Sequence, residues 1–130
     1  MRSLIEQHIP IGGQWRQGGG ALMRSVFPAD QSVNAELHAA DLDDVEQAVA
    51  VADRSWRAPT WRDLPAHHRA RVLYRVADLI DAQREPLARL QTRDNGKPLG
   101  ETRALVDSAA ATARYFGAVC ETLDGVLPIP

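Results

Sequence analysis

Cysteine is almost missing from this sequence. Cys120 is the only one in 130 residues, so no intramolecular disulfide can form and nothing signals an oxidising compartment. Aromatic residues are few: three Trp, two Tyr and two Phe. No apolar run approaches the length of a membrane span, and the first stretch, MRSLIEQHIPIGGQWRQ, has no long apolar core. Cytoplasm is therefore the expected location. An excess of one charge is absent too, since the formal net charge is −2, which gives no electrostatic reason to expect nucleic acid or an anionic membrane as partner. Internal repeats and low-complexity segments are also lacking. What is present, 45% hydrophobic and 25% charged residues over 130 positions, suits one soluble domain with enough apolar side chains for a core.

Residues 1–40 read as strands and turns. In HIPIGGQW, apolar residues precede a Gly12-Gly13 turn, and QGGGA supplies a second permissive turn. The runs LMRSVF and VNAELHA alternate apolar and polar residues imperfectly, with Pro28-Ala29-Asp30 as turn chemistry between them. The glycines at 18 to 20 do not have the G-x-G-x-x-G spacing, and no strand leads from them into a helix, so a flexible hairpin tip is expected there.

From Asp41 the period becomes helical, and residues 41–125 are expected to hold about four helices. Asp41 can cap the first, with Asp43, Asp44 and Glu46 at the end where the helix dipole favours negative charge. Val45, Ala48, Val49, Ala52 and Trp56 form its apolar stripe, and Pro59 ends it. A second helix begins near Pro65, with Val72, Leu73, Val76, Leu79 and Ile80 on its apolar face and Arg69, Arg71 and Arg75 kept wet. Pro86 suits the first turn of a third. The fourth spans about Glu101 to Leu123, with Leu105, Ala109, Thr112, Phe116 and Cys120 roughly in line and Gly125 beyond its end. Its many alanines let it lie close against a neighbour. Residues 126–130 then form an extended connection.

The segment QTRDNGKPLGE, residues 91 to 101, holds a Gly-Lys pair. A phosphate-binding loop of the G-x-x-x-x-G-K-[ST] type needs a hydroxyl residue after the lysine. Pro98 stands there instead, and no glycine lies five residues before Gly96. A helix stop fits: Gly96 suits the left-handed residue past a helix end, and Pro98 forbids continuation. Asp94 is oddly placed for that, because a carboxylate in a last turn meets the negative end of the helix dipole. Lys97, solvent or a bound cation could each compensate.

Other reactive residues read as structural. Cys120 lies among small and apolar neighbours on a helix and is expected to be a buried small hydrophobe. His67 and His68 point about 100° apart on a helix and lack a third ligand at matching spacing, so a solvated helix start is expected. The arginines at 62, 69, 71 and 75 are interleaved with acids at 63, 78 and 81, which suits a solvated or interdomain face.

Several of these segments together resemble one family. WRDLPAHHRARVLYRVADLIDAQREPLARLQTR followed by DNGKP is similar to the N-terminal region of the NAD(P)-dependent aldehyde dehydrogenases. IGGQW resembles that family's first strand, DLDDVEQAVAVADRSW its first helix, and ARYFGAVCETLDG a later one. Phe27 and the missing turn glycine in FPADQSV depart from the family pattern. The resemblance implies an α/β parent fold in which an N-terminal β-hairpin region and about four α-helices pack on a Rossmann-like cofactor domain that this chain lacks. It also implies a reaction: NAD(P)-dependent oxidation of an aldehyde to a carboxylic acid through a cysteine thiohemiacetal and thioester. The catalytic cysteine, glutamate and cofactor motif lie downstream in the family. No catalytic and no cofactor-binding residue is therefore expected here, and the chain is expected to be an inactive N-terminal fragment whose partners are the missing remainder or homologous subunits. By the same resemblance Asp94, with backbone carbonyls near Ser25 and Val26, would hold a monovalent cation, and Leu105 and Ser108 would border a substrate entrance. The alternative is a stand-alone helical interaction or regulatory module that binds full-length subunits.

Overall fold

The computed structural model describes residues 9–122, which divide into two compact units. The described residues up to Arg62, with Arg93–Gly96, form the first, and those from Asp63 to Thr92 and from Lys97 onward form the second. The expected helix end at Leu123, Gly125 and the connection 126–130 lie outside the described residues.

In the first unit β1 (Ile9–Ile11) pairs antiparallel with β2 (Gln14–Arg16) across Gly12 and Gly13. Both glycines have positive φ, +63° and +79°, the two-residue geometry that matches the twist of the flanking strands. β3 (Leu22–Val26) pairs antiparallel with β4 (Val33–His38), and the register slips between Ser25 and Val26.

The glycines at 18 to 20 do not form a hairpin tip, because β2 and β3 pair elsewhere. They allow a close backbone approach instead. A Cβ on Gly18 would stand 2.2 Å from the Ala39 carbonyl oxygen. The Gly20 N–H donates to that same oxygen at 2.8 Å, and the Gly19 N–H donates to Asp44 Oδ2 at 2.8 Å.

Helix α1 (Leu42–Arg57) starts with a reciprocal capping box between Asp41 and Asp44. Asp44 does more than complement the dipole. It is only 3% exposed and also accepts from the Gly19 N–H and the Arg16 guanidinium. The Gly19 N–H is the main reason its carboxyl titrates below the ordinary range, with the Asp41 N–H and Arg16 adding to the effect against the opposing cost of burial. Pro59 does not simply end α1. It opens α2 (Pro59–Arg62), a single turn that adds to the about four helices expected, giving five among the described residues; proline is preorganised for a first helical turn.

The second unit is built on α3 (Ala66–Ala82), α4 (Arg84–Asn95, through Thr92) and α5 (Leu99–Glu121). Helices α3 and α5 pack through small residues. Ala70 and Ala77 are buried on α3, Ala88 on α4, and Thr102, Val106, Ala110 and Gly117 on α5. The buried Thr102 hydroxyl donates to the Leu99 carbonyl at 3.1 Å and shares a hydrogen bond with Thr92 Oγ1 at 3.0 Å.

The packed line of α5 therefore differs from the one expected. Leu105 and Phe116 remain 40% and 52% exposed. On α3, Val72, Val76 and Leu79 are likewise exposed, while Leu73 and Ile80 are half-buried. The cause is size: alanine and glycine let two backbones come close, and bulkier side chains in the seam would hold them apart. Arg69 is not wholly wet either, since it is half-buried and donates to the Leu64 carbonyl at 2.9 Å. Ion pairs flank the helices: Arg84 with Asp107 at 2.5 Å, Arg103 with Glu85 at 2.6 Å, and Arg114 with Asp81 at 2.6 Å.

Candidate functional site

The turn after α4 ends as its residue types require. Asn95 is the last helical residue, Gly96 has φ +76°, and Pro98 caps the start of α5. A Cβ on Gly96 would stand 3.1 Å from Pro28 Cβ. This turn therefore rests against the proline of the β3–β4 connection.

Side chains tie the same turn to the hairpin. The Ser25 hydroxyl donates to Asp94 Oδ1 at 3.1 Å. Asn34 Nδ2 donates to the Arg93 carbonyl at 2.8 Å, and Arg93 Nε donates to Asn34 Oδ1 at 3.0 Å. Arg93 also donates to the Ser32 hydroxyl at 3.2 Å and lies 5.0 Å above the Phe27 ring. Asp30 titrates below its ordinary value, chiefly through its hydrogen bonds from Ser32, with the Arg93 charge a smaller contribution. The Asn34–Arg93 exchange was not legible in the sequence, because the two residues are 59 positions apart.

Asp94 and Val26 belong to the same unit. Asp94 accepts from the hydroxyl of Ser25, the residue before Val26. The irregular register between Ser25 and Val26 is a bulge, a feature that takes a residue out of the regular ladder. A carboxylate and a hydroxyl oxygen therefore stand together beside this irregularity. Leu105 and Ser108 lie on α5 in the other unit, both exposed, with the Ser108 carbonyl accepting from the Thr112 hydroxyl at 2.8 Å.

The remaining candidates carry less chemistry. Cys120 is half-buried rather than buried. His67 is exposed, whereas His68 is half-buried and titrates low, first because of burial and then because of the nearby His67 and Arg71. Among the described residues no group of three or more His, Cys, Asp or Glu is placed to hold a metal ion, and no helix is long and apolar enough to cross a membrane.

The family is decided by the sequence match, which runs over residues 15–129 to the aldehyde dehydrogenase family. This chain belongs to the aldehyde dehydrogenase family. It is 41% identical over 109 residues to betaine aldehyde dehydrogenase 2 of Rhizobium meliloti (strain 1021), an alignment covering 82% of this chain and 22% of that protein. A betaine aldehyde dehydrogenase of Staphylococcus aureus, solved in complex with NAD+, superposes with a TM-score of 0.89 at 29% identity, over 99% of this chain and 26% of that one. An NAD-dependent benzaldehyde dehydrogenase of Corynebacterium glutamicum gives 0.90 at 23% identity, over 100% of this chain and 28% of that one, a likeness of fold alone. The hairpins followed by helices are thus those of the aldehyde dehydrogenase N-terminal region, and the chain spans about a quarter of the length of the relatives it matches.

The glycine-rich segment of this aldehyde dehydrogenase chain does not fit a dinucleotide pyrophosphate. The Gly19 and Gly20 N–H groups are directed at the Asp44 carboxylate and the Ala39 carbonyl, and an incoming phosphate would meet that carboxylate.

Proposed function

We propose that this chain serves as the N-terminal segment of a cytoplasmic NAD(P)-dependent aldehyde dehydrogenase, which oxidises an aldehyde to a carboxylic acid, and that it does not turn over aldehyde alone. The observation that carries this is where the large apolar side chains stand. Among the described residues the buried apolar side chains are small, alanines at 35, 70, 77, 88 and 110 with Val106, while Val49 and Trp56 on α1 and Phe116 on α5 are 63%, 69% and 52% exposed. Apolar stripes at helical spacing are normally covered. The cover is the remainder of the enzyme, which holds the NAD or NADP and supplies the nucleophilic cysteine. Within this segment Asp94 and the Val26 backbone hold a monovalent cation that steadies the helix end, and Leu105 and Ser108 border the approach of substrate.

Complementation tests this. The chain is mixed with a homologous aldehyde dehydrogenase lacking its matching first quarter, and nicotinamide reduction, sedimentation and amide exchange are followed. The expected result is no turnover from either piece, turnover from the mixture, and new amide protection in α1 and α5. Turnover by this chain alone, abolished by Cys120→Ala, would overturn the reading. A monodisperse monomer with every helix protected and no complementation would instead favour the stand-alone module that binds full-length subunits.

A further inference from the structure

Asn95-Gly96 is a sequence whose chemistry the proposed enzyme reaction leaves unused. Only two asparagines occur in the chain, Asn34 and Asn95, and only Asn95 is followed by glycine. Asn95 is exposed and closes α4. Gly96 has no side chain to shield its backbone nitrogen and stands at φ +76°, outside the helix. We propose that Asn95 is a built-in deamidation site, converted without an enzyme to aspartate and isoaspartate.

The step balances within the chain and water. The Gly96 backbone nitrogen, having lost its proton to solvent base, attacks Asn95 Cγ. A new C–N bond forms, the Cγ–Nδ2 bond breaks, and ammonia leaves with the returned proton. Water then opens the five-membered imide at either carbonyl. Opening at one side gives aspartate, and opening at the other leaves the backbone running through the side chain as isoaspartate. Nothing is oxidised or reduced.

The fold sets the rate. A helical backbone at Asn95 turns the Gly96 nitrogen away from the side-chain carbon, so attack requires the last turn of α4 to open. That opening is a local event of the kind helix ends undergo most readily. Three contacts oppose it: Ser25 on Asp94 at 3.1 Å, Asn34 on the Arg93 carbonyl at 2.8 Å, and Pro28 against Gly96. The product puts a second carboxylate beside Asp94 at the negative end of the helix dipole, so the first event loosens the turn further. Asn34 lies within strand β4 and is followed by Ala35, whose Cβ crowds the backbone nitrogen that would have to attack.

The test is incubation of the purified chain at mildly alkaline pH, followed by trypsin digestion and mass spectrometry. Trypsin cuts after Arg93 and Arg103 and spares the Lys97-Pro98 bond, so Asn95 falls in its own peptide. The expected result is a gain of a single mass unit in that peptide, split into two chromatographic forms, with the Asn34 peptide unchanged. Ser25→Ala should raise the rate several-fold by weakening the closed turn. Gly96→Ala should lower it several-fold even though it destabilises the fold, which separates the chemistry from unfolding. The proposal is overturned if Asn95 stays intact while a short unfolded peptide of the same sequence converts. It is also overturned if Asn34 reacts as fast, or if Ser25→Ala leaves the rate unchanged. None of these outcomes depends on the enzyme reading.

Discussion

Replacing Gly96 with alanine tests the description of the α4 terminus most directly. The left-handed φ of +76° costs an L-residue about 1–2 kcal/mol. The added methyl would also stand 3.1 Å and 3.2 Å from Pro28 Cβ and Cγ. Pro28 lies in a ring within a turn, so its atoms can yield only by shifting backbone, and a further fraction of a kcal/mol is expected. Against this, alanine restricts the unfolded chain and returns about 0.4–1 kcal/mol. The net is a loss of about 1–2 kcal/mol. Gly100 is the internal control. It lies in the first turn of α5, and a Cβ there meets nothing within 4 Å, so Gly100→Ala should be neutral or stabilise by up to about 1 kcal/mol. Urea titration of both variants, followed by helical circular dichroism, reads the difference. With a slope of about 1–2 kcal/mol/M, the two midpoints should separate by roughly 1 M. Equal midpoints would refute the left-handed cap and the Pro28 contact together.

Gly117→Ala should destabilise the α3–α5 pair, because the new methyl would stand 2.7 Å from Tyr74 Cε1; a net loss of about 1–2 kcal/mol in thermal melts is expected after the helix-propensity gain, and an unchanged midpoint would mean the ring moves freely. Asp44 has a folded-state pKa below its ordinary 3.8, so its contribution is fully present above that value and is lost as pH falls through the lower folded value. The melting midpoint should therefore drop below about pH 4, and Asp44→Asn should flatten that part of the profile while lowering stability at neutral pH. If Asp94 holds a cation, potassium or sodium should raise the melting midpoint relative to choline, and Asp94→Asn should abolish the difference; identical midpoints in all three salts would sink the site.

Local chemistry was readable from the residues themselves. The Gly12-Gly13 turn, the Asp41 cap, the Gly96 stop and the order of hairpins then helices each follow from short-range rules on φ, capping and periodicity. These act over a few residues, so a sequence carries them in full. The family resemblance rests on the same short motifs.

Tertiary structure decided which side of each helix met a neighbour. Periodicity marked the bulky stripes on α3 and α5 as apolar faces, but the two helices close on Ala70, Ala77, Ala110 and Gly117, since small residues allow the nearest approach. Hydropathy cannot rank two apolar faces of one helix by the partner each will meet. Asp44 looked like a dipole partner and proved to be the buried acceptor for Gly19 and Arg16. The glycines at 18 to 20 looked like a hairpin tip and proved to be a close backbone crossing. In each case the deciding contact joins residues some twenty or more positions apart, and only the folded chain brings them together.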